Sequence, residues 1–332
     1  RESKLQFLNC IFYLRFHHAA TRFPEGNNFN RTTFVRPTQQ TGTDLSFLAQ
    51  AAASLSNGDV VDGGAGIDTL TARYAITANT TINTSITNVE KLEIDFDEAT
   101  AGSAHTLTIN TSGFTGLTDA ISKNADSTTS TEDFVAFTNL AAGVEAGITG
   151  GDEFSNATFT YKTTTGLTDT ATLNLNNAKA NTITIAGIET LTVDAESGTS
   201  VIDTLTTAQA TSLNITGSGK LTLSSVDAVT KTIDASAATG NVTLVGIGAV
   251  VSTITGGSGN DSVNMGTTLT SADTIDLGDG TDTVIINSSS ITSSSVSSIA
   301  SLGKGSIEST CRLVVPGLVA ERITDLHIIF PL

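Results

Sequence analysis

The feature that most constrains this chain is a 21-residue repeat beginning at Lys231. Ile233, Ile254 and Ile275 keep that step, as do Val242, Val263 and Val284, and Leu244, Met265 and Ile286. Between each Ile and the following Val lies a loop of small residues: 234–241 (DASAATGN), 255–262 (TGGSGNDS) and 276–283 (DLGDGTDT). One coil earlier Leu213, Leu221 and Leu223 fit with a loop one residue shorter, and Val193 lies 20 residues before Leu213. A period near 20 with apolar residues at fixed phases predicts a solenoid, in which one coil cannot bury its apolar face alone and stacking makes a continuous column.

Within each coil the apolar residues alternate, as in Val242-Thr-Leu244 and Leu221-Thr-Leu223. That is strand periodicity, one side chain inward and the next outward. Thr, Val, Ile and Gly are plentiful and no long 3.6-residue pattern occurs, which disfavours helix. The expected fold is all-β: a right-handed parallel β-solenoid, of the β-helix or β-roll kind, with coils of about 21 residues. A weaker repeat joins the two halves, Asn88-Val-Glu-Lys-Leu-Glu-Ile-Asp95 beside Gly187-Ile-Glu-Thr-Leu-Thr-Val-Asp194; two ordinary strands could share that pattern. Residues 113–180 carry no clear period and read as β-rich with long loops.

Composition divides the chain. All four prolines and both cysteines (Cys10, Cys311) lie outside residues 41–302. Within that core roughly one residue in five is Thr. Nine basic and five acidic residues in the flanks leave the core at −21, against −17 for the whole chain. The expected organisation is an atypical flank at 1–40, a β-rich part at 41–180, the solenoid proper at 181–302 and a second atypical flank at 303–332. The flanks read either as foreign to the core, through a change of reading frame at each end, or as anchoring segments. Leu5–Leu14 is too short to span a bilayer and makes a poor secretory signal. A core without cysteine has no disulfide framework. A polyanion repels nucleic acid and anionic lipid, so neither nucleic-acid binding nor membrane insertion is expected, and it attracts divalent cations.

One motif carries chemistry. Gly256-Gly-Ser-Gly-Asn-Asp261-Ser-Val263 matches the calcium-binding nonapeptide G-G-x-G-x-D-x-U-x. One coil later Gly278-Asp-Gly-Thr-Asp282-Thr-Val284 repeats it, with Leu277 in place of the first Gly. Gly63-Gly-Ala-Gly-Ile-Asp68-Thr-Leu70 is a third copy, and Asp59-Val-Val-Asp62 precedes it as Asp273-Thr-Ile-Asp276 precedes the last. Glycines permit tight turns that aim carbonyl oxygens at one point, and calcium takes six to eight oxygen ligands. The 21-residue step places loop 256–261 beside loop 277–282. The expected ligands are Asp261, Asp279 and Asp282, with carbonyls of Gly257, Gly259 and Gly280. Asp68, Gly64 and Gly66 form the corresponding set in the isolated copy. The alternative is a plain ladder of turns with no metal.

These residues resemble bacterial surface-layer proteins and large adhesins of the repeats-in-toxin class. The likeness rests on 62–70, on Asn88-Val-Glu90-Lys-Leu92, on Ile233-Asp-Ala-Ser236 and on 254–261, and covers roughly residues 55–290. It implies calcium-dependent folding outside the cell, type I secretion, and self-assembly with like subunits on the bacterial cell surface, where polysaccharide is a further partner. It also implies that the chain is a piece of a longer protein. The family's C-terminal export signal is not recognisable in 303–332.

Catalysis is not expected. His105 is the core's one histidine, in a strand-like His105-Thr-Leu-Thr-Ile. There is no H-E-x-x-H, Gly256-Gly-Ser258-Gly-Asn fails the G-x-S-x-G pattern, and Gly217-Ser-Gly-Lys220 lacks phosphate-loop spacing and reads as a strand turn. The core's seven basic residues (Arg73, Lys91, Lys123, Lys162, Lys179, Lys220, Lys231) are dispersed, unlike a polysaccharide-lyase face. A surface-layer subunit, an adhesin stalk and a fragment of a secreted enzyme remain as the three functional readings, in that order.

Overall fold

The computed structural model describes residues 55–96, 105–123, 134–150, 155–250 and 253–286, together with the backbone of four short strands, Phe12–Tyr13, Thr33–Phe34, Ser46–Ala49 and Arg312–Val314. Apart from those strands, the readings of the two flanks fall outside the described residues.

The alternating residues form strands, and the strands stack in parallel. Sheet 1 has twelve strands, sheet 2 eleven and sheet 3 four. Sheet 1 runs from Ser46–Ala49 through Thr69–Tyr74, Lys91–Phe96 and so on to Thr274–Asp276, every step parallel; Phe12–Tyr13 alone pairs antiparallel, at its edge. Sheet 2 runs from Thr80–Asn83 to Thr283–Ile286 and Arg312–Val314. Sheet 3 covers only the early coils, with Val60–Asp62, Ser85–Thr87 and Phe114–Thr115. The protein is a parallel β-solenoid whose coils lie about 22 residues apart, with almost no helix. The stack crosses residue 180 unbroken, Thr170–Asn176 pairing with Thr190–Ser197.

Inward residues form columns. In sheet 1 Ala171, Leu191, Leu213, Ile233, Ile254 and Ile275 lie in register on six successive coils, all buried. In sheet 2 Ile82, Ile109, Phe137, Phe159 and Ile185 do the same. The Phe137 and Phe159 rings stack with centroids 5.3 Å apart and planes 8° from parallel. Each such side chain contributes about 1.5–3 kcal/mol by leaving water.

Three registers differ from the sequence reading. Leu244 pairs with Val263, so Val242 is not Val263's partner; Ile286 pairs with Gly266 across a bulge, not with Met265. Likewise Leu191, not Val193, pairs with Leu213. The first and last offsets are two residues. A two-residue slip keeps every side chain on its own face, so the apolar alternation cannot reveal it. The weaker repeat marks one coil position: Leu92 and Leu191 both sit inward in sheet 1, with Glu90 and Glu189 just before their strands.

Phe159→Ala should cost about 3–5 kcal/mol by opening a cavity between Phe137 and Ile185. Urea unfolding of the full chain checks this; a loss below 1 kcal/mol would show that the coils close over the gap.

Candidate functional site

The ladder of strand hydrogen bonds breaks wherever the chain turns from one sheet to the next. Backbone N–H groups at such a corner are buried and need other acceptors. The motif aspartates meet that need. Asp261 is 3 % exposed; its Oδ1 accepts from Val242 N at 2.8 Å, one coil earlier, and its Oδ2 from Gly257 N at 2.9 Å within its own turn. Asp282, also 3 % exposed, accepts on Oδ1 from Asp261 N at 2.9 Å. Each carboxylate therefore caps the equivalent residue of the preceding coil.

The two loops stack as the sequence spacing predicts. Asp279 N donates to Gly257 O at 2.9 Å, and Gly256 N to Asp276 O at 2.7 Å. Gly280 lies against Gly259 so closely that a Cβ there would overlap the Gly259 carbonyl oxygen. Gly240 meets Gly219 in the same way, and Lys220 N donates to Gly198 O. Gly198, Gly219, Gly240, Gly259 and Gly280 thus form one glycine column, and the calcium-like loops are its last two rungs. The recurrence of Gly at those five positions is the signal that a search for the nonapeptide alone passes over.

The isolated copy has the same local structure as the last one. Ser56 N and Oγ donate to Asp59 Oδ2 at 2.8 and 3.0 Å; Thr270 N and Oγ1 donate to Asp273 Oδ2 at 2.6 and 3.0 Å. Gly64 N meets Asp62 Oδ1 at 3.1 Å, and Gly278 N meets Asp276 Oδ1 at 3.2 Å. Gly64 and Gly66 have φ of 88° and 122°, Gly278 and Gly280 of 76° and 128°, a region that glycine enters without steric cost. The settings differ: 63–68 turns from sheet 3 into sheet 1, whereas 277–282 turns from sheet 1 into sheet 2. So Asp68 stands apart from the Asp261–Asp282 stack. Its neighbour is the 88–90 corner, where Asp68 N donates to Glu90 Oε2 at 2.7 Å and Asn88 Nδ2 to Asp62 Oδ1 at 2.8 Å. Glu189 Oε2 accepts from Asp169 N at 2.9 Å in the same manner, so Glu90 and Glu189 are coil braces too.

Four aspartates crowd the paired corner. Burial pushes the Asp282 carboxyl up to about 6, and the charges of Asp261, Asp276 and Asp279 add to the rise against the hydrogen bond from Asp261 N. Burial raises Asp261 as well, opposed by the Val242 and Gly257 amides. The donors suit a hard divalent cation in kind, being all oxygen. They are not equally available. Asp261 has both oxygens on backbone amides, Asp282 has Oδ1 so engaged, the Gly257 carbonyl accepts from Asp279 N, and Asp279 is exposed. Among the described residues no three His, Cys, Asp or Glu side chains converge as a ready metal cage. The Gly217–Lys220 segment is a strand turn, between Ser212–Gly217 and Lys220–Leu223, as the sequence reading expects. No described helix is long and apolar enough to cross a membrane.

Fold and corners together define a β-solenoid repeat protein. In comparisons with known proteins no family model, no curated protein and no solved structure matches the chain.

Two expectations follow from the caps. Asp261→Ala leaves the Val242 and Gly257 amides without their acceptor and should cost about 2–4 kcal/mol in chemical denaturation; a change under 0.5 kcal/mol would show the caps to be dispensable. The second concerns pH. Asp282 has a folded-state value near 6, above the unfolded value of about 3.9, so its contribution is fully present below pH 4 and is lost as pH rises through 6. In chelator, stability should fall by about 1–2 kcal/mol from pH 4 to pH 7 on account of this group, allowing for screening. Asp282→Asn should flatten that slope; an unaltered slope would locate the titration elsewhere.

Proposed function

We propose that the chain is a structural segment of a bacterial surface layer: secreted, stabilised by calcium, and without catalytic activity. The observation that carries this reading is the parallel stack of coils that bears two superposed acidic glycine corners. A stack of about 9 turns at about 4.8 Å each makes a rod about 43 Å long, suited to bearing load rather than to enclosing a substrate. Calcium is the cofactor we assign to the paired corner. Asp279 and Asp282 would supply carboxylates, with carbonyl oxygens of Gly259 and Gly280, while Asp261 braces the coils and Gly257 receives the Asp279 amide. The ion supplies positive charge among carboxylates whose mutual repulsion otherwise opposes ionisation, so its binding energy becomes folding energy. The copy at Gly64, Gly66 and Asp68 would bind more weakly, having a Glu90 corner beside it instead of a second glycine loop.

Partners under this reading are like subunits and cell-surface polysaccharide, and the setting is extracellular, reached by type I secretion. The rod shape also fits an adhesin stalk. To separate the two, the full chain is purified in chelator, brought to millimolar calcium and imaged by electron microscopy. Two-dimensional lattices support the surface-layer reading. Monomers that bind a host or matrix surface and do not assemble support the stalk. Hydrolytic activity in the purified chain would overturn both.

A Ca2+ titration should raise the melting temperature of the full chain, and Asp279→Asn should remove much of that rise while leaving the chelator-treated protein almost unchanged. Equal melting curves with calcium and with chelator would contradict the assignment.

A further inference from the structure

The two long faces of the solenoid differ in charge. The outward side chains of sheet 1 include Arg73, Glu93, Asp95, Lys123, Glu145 and Asp194. Over the same coils sheet 2 turns a different face to solvent. Its middle column is Thr81, Thr108, Ala136, Thr158, Thr184 and Thr206, in register on six successive strands and none of them buried. The outward positions on either side of that column are threonine, asparagine and alanine, with Phe134 as a half-buried ring. None of these positions carries a charge, in a chain with 33 acidic residues and a net charge of −17. Lys162, Lys179 and Asp203 stand at the border of the patch.

We propose that this uncharged face of sheet 2 is the contact through which two copies of the chain pair, sheet 2 against sheet 2. The inference deepens the surface-layer reading and rests on its self-assembly. Two such polyanions repel wherever their acidic corners or their sheet 1 faces approach. Packed sheets lie about 10 Å apart, so pairing through sheet 2 leaves the two charged sheet 1 faces about 30 Å from each other. That is well beyond the Debye length of about 8 Å at physiological salt. No charge has to be desolvated at the centre of the contact, and the charged border forms a polar rim. Threonine methyls and the Phe134 ring supply apolar contact, while the hydroxyls can donate or accept across it. A two-fold axis through the middle of the column sets Ala136 of one copy against Thr158 of the other.

The size of the face fixes the strength of the pair. Six strands about 4.8 Å apart, with about three outward residues each, give a face of about 600 Å2. Stable complexes bury about 800 Å2 a side, so one such pair is weak and reversible. It gains strength where each chain makes other contacts as well, as in an extended assembly.

Sedimentation equilibrium of the full chain in millimolar calcium should show monomers and dimers in exchange, with a Kd of about 0.1–1 mM. Thr158→Glu should weaken pairing about tenfold or more by setting like charges together, and Thr158→Lys should do the same. Mixing these two variants should restore pairing, which a loss of fold could not do. Thr192→Glu, on the outer face of sheet 1, should leave pairing unchanged. A native chain that stays monomeric throughout overturns the proposal, even one that binds cell-surface polysaccharide through this face. Dimers or lattices that Thr158→Glu leaves intact overturn it too, while the surface-layer reading stands. Pairing that Thr158→Glu abolishes, in a chain that forms no lattice, upholds the contact and removes the surface-layer reading.

Discussion

Everything in this solenoid depends on how backbone amides are satisfied where the chain turns a corner. Between corners the strands satisfy one another through the parallel ladder. At a corner the ladder stops while burial continues, and an unpaired buried amide costs about 1–3 kcal/mol. The chain answers with side chains that reach along the solenoid axis. Asp261, Asp282, Glu90 and Glu189 reach back to amides of the preceding coil. Ser200 Oγ does the same for Ala178 N at 3.1 Å. Asparagines reach forward: Asn241 Oδ1 accepts from Asn260 N, and Asn260 Oδ1 from Thr281 N. Neighbouring coils are thus tied in both directions, and the apolar columns lie between the ties.

The same interaction accounts for the acidity of the corner. A carboxylate is the strongest acceptor a short side chain offers to an amide, because its charge assists the bond. Stacking two such corners sets Asp261 and Asp282 in one buried neighbourhood, with Asp276 and Asp279 near enough to raise Asp282 further. The arrangement stores repulsion that a proton or a divalent cation relieves. Under the proposed reading a cation would take up the charge left over after the carboxylate caps are made.

Much of this was legible in the sequence, and the misses share a cause. The column Ile233–Ile254–Ile275 and the stacking of 256–261 under 277–282 follow from the 21-residue step, since a constant step on a strand pattern leaves few registers. The two-residue slip that joins Leu244 to Val263 was hidden, because period-2 alternation is blind to it. The glycine column was half visible: Gly198, Gly219 and Gly240 lie outside any calcium motif, and Gly219 and Gly240 declare themselves only through close backbone approach. The inward aim of Asp261 and Asp282 was not legible, since a motif names a residue type and not the side of the corner it faces. Residues 113–180 gave no period, yet Asp119–Lys123, Glu145–Thr149 and Thr170–Asn176 continue sheet 1. The stretch Thr115-Gly-Leu-Thr-Asp119 recurs at Thr165-Gly-Leu-Thr-Asp169, but two coils apart, so a search at a single coil's step misses it.

The central claim is that carboxylates of one coil hold the amides of the coil before. Amide hydrogen exchange resolved by residue reads this directly. In the native chain Val242 and Asp261 amides should be strongly protected. Asp261→Ala should release Val242, and Asp282→Ala should release Asp261, while Leu221, whose amide donates to the Asn241 backbone carbonyl, stays protected in both. Protection at Val242 and Asp261 that survives both substitutions would contradict the account.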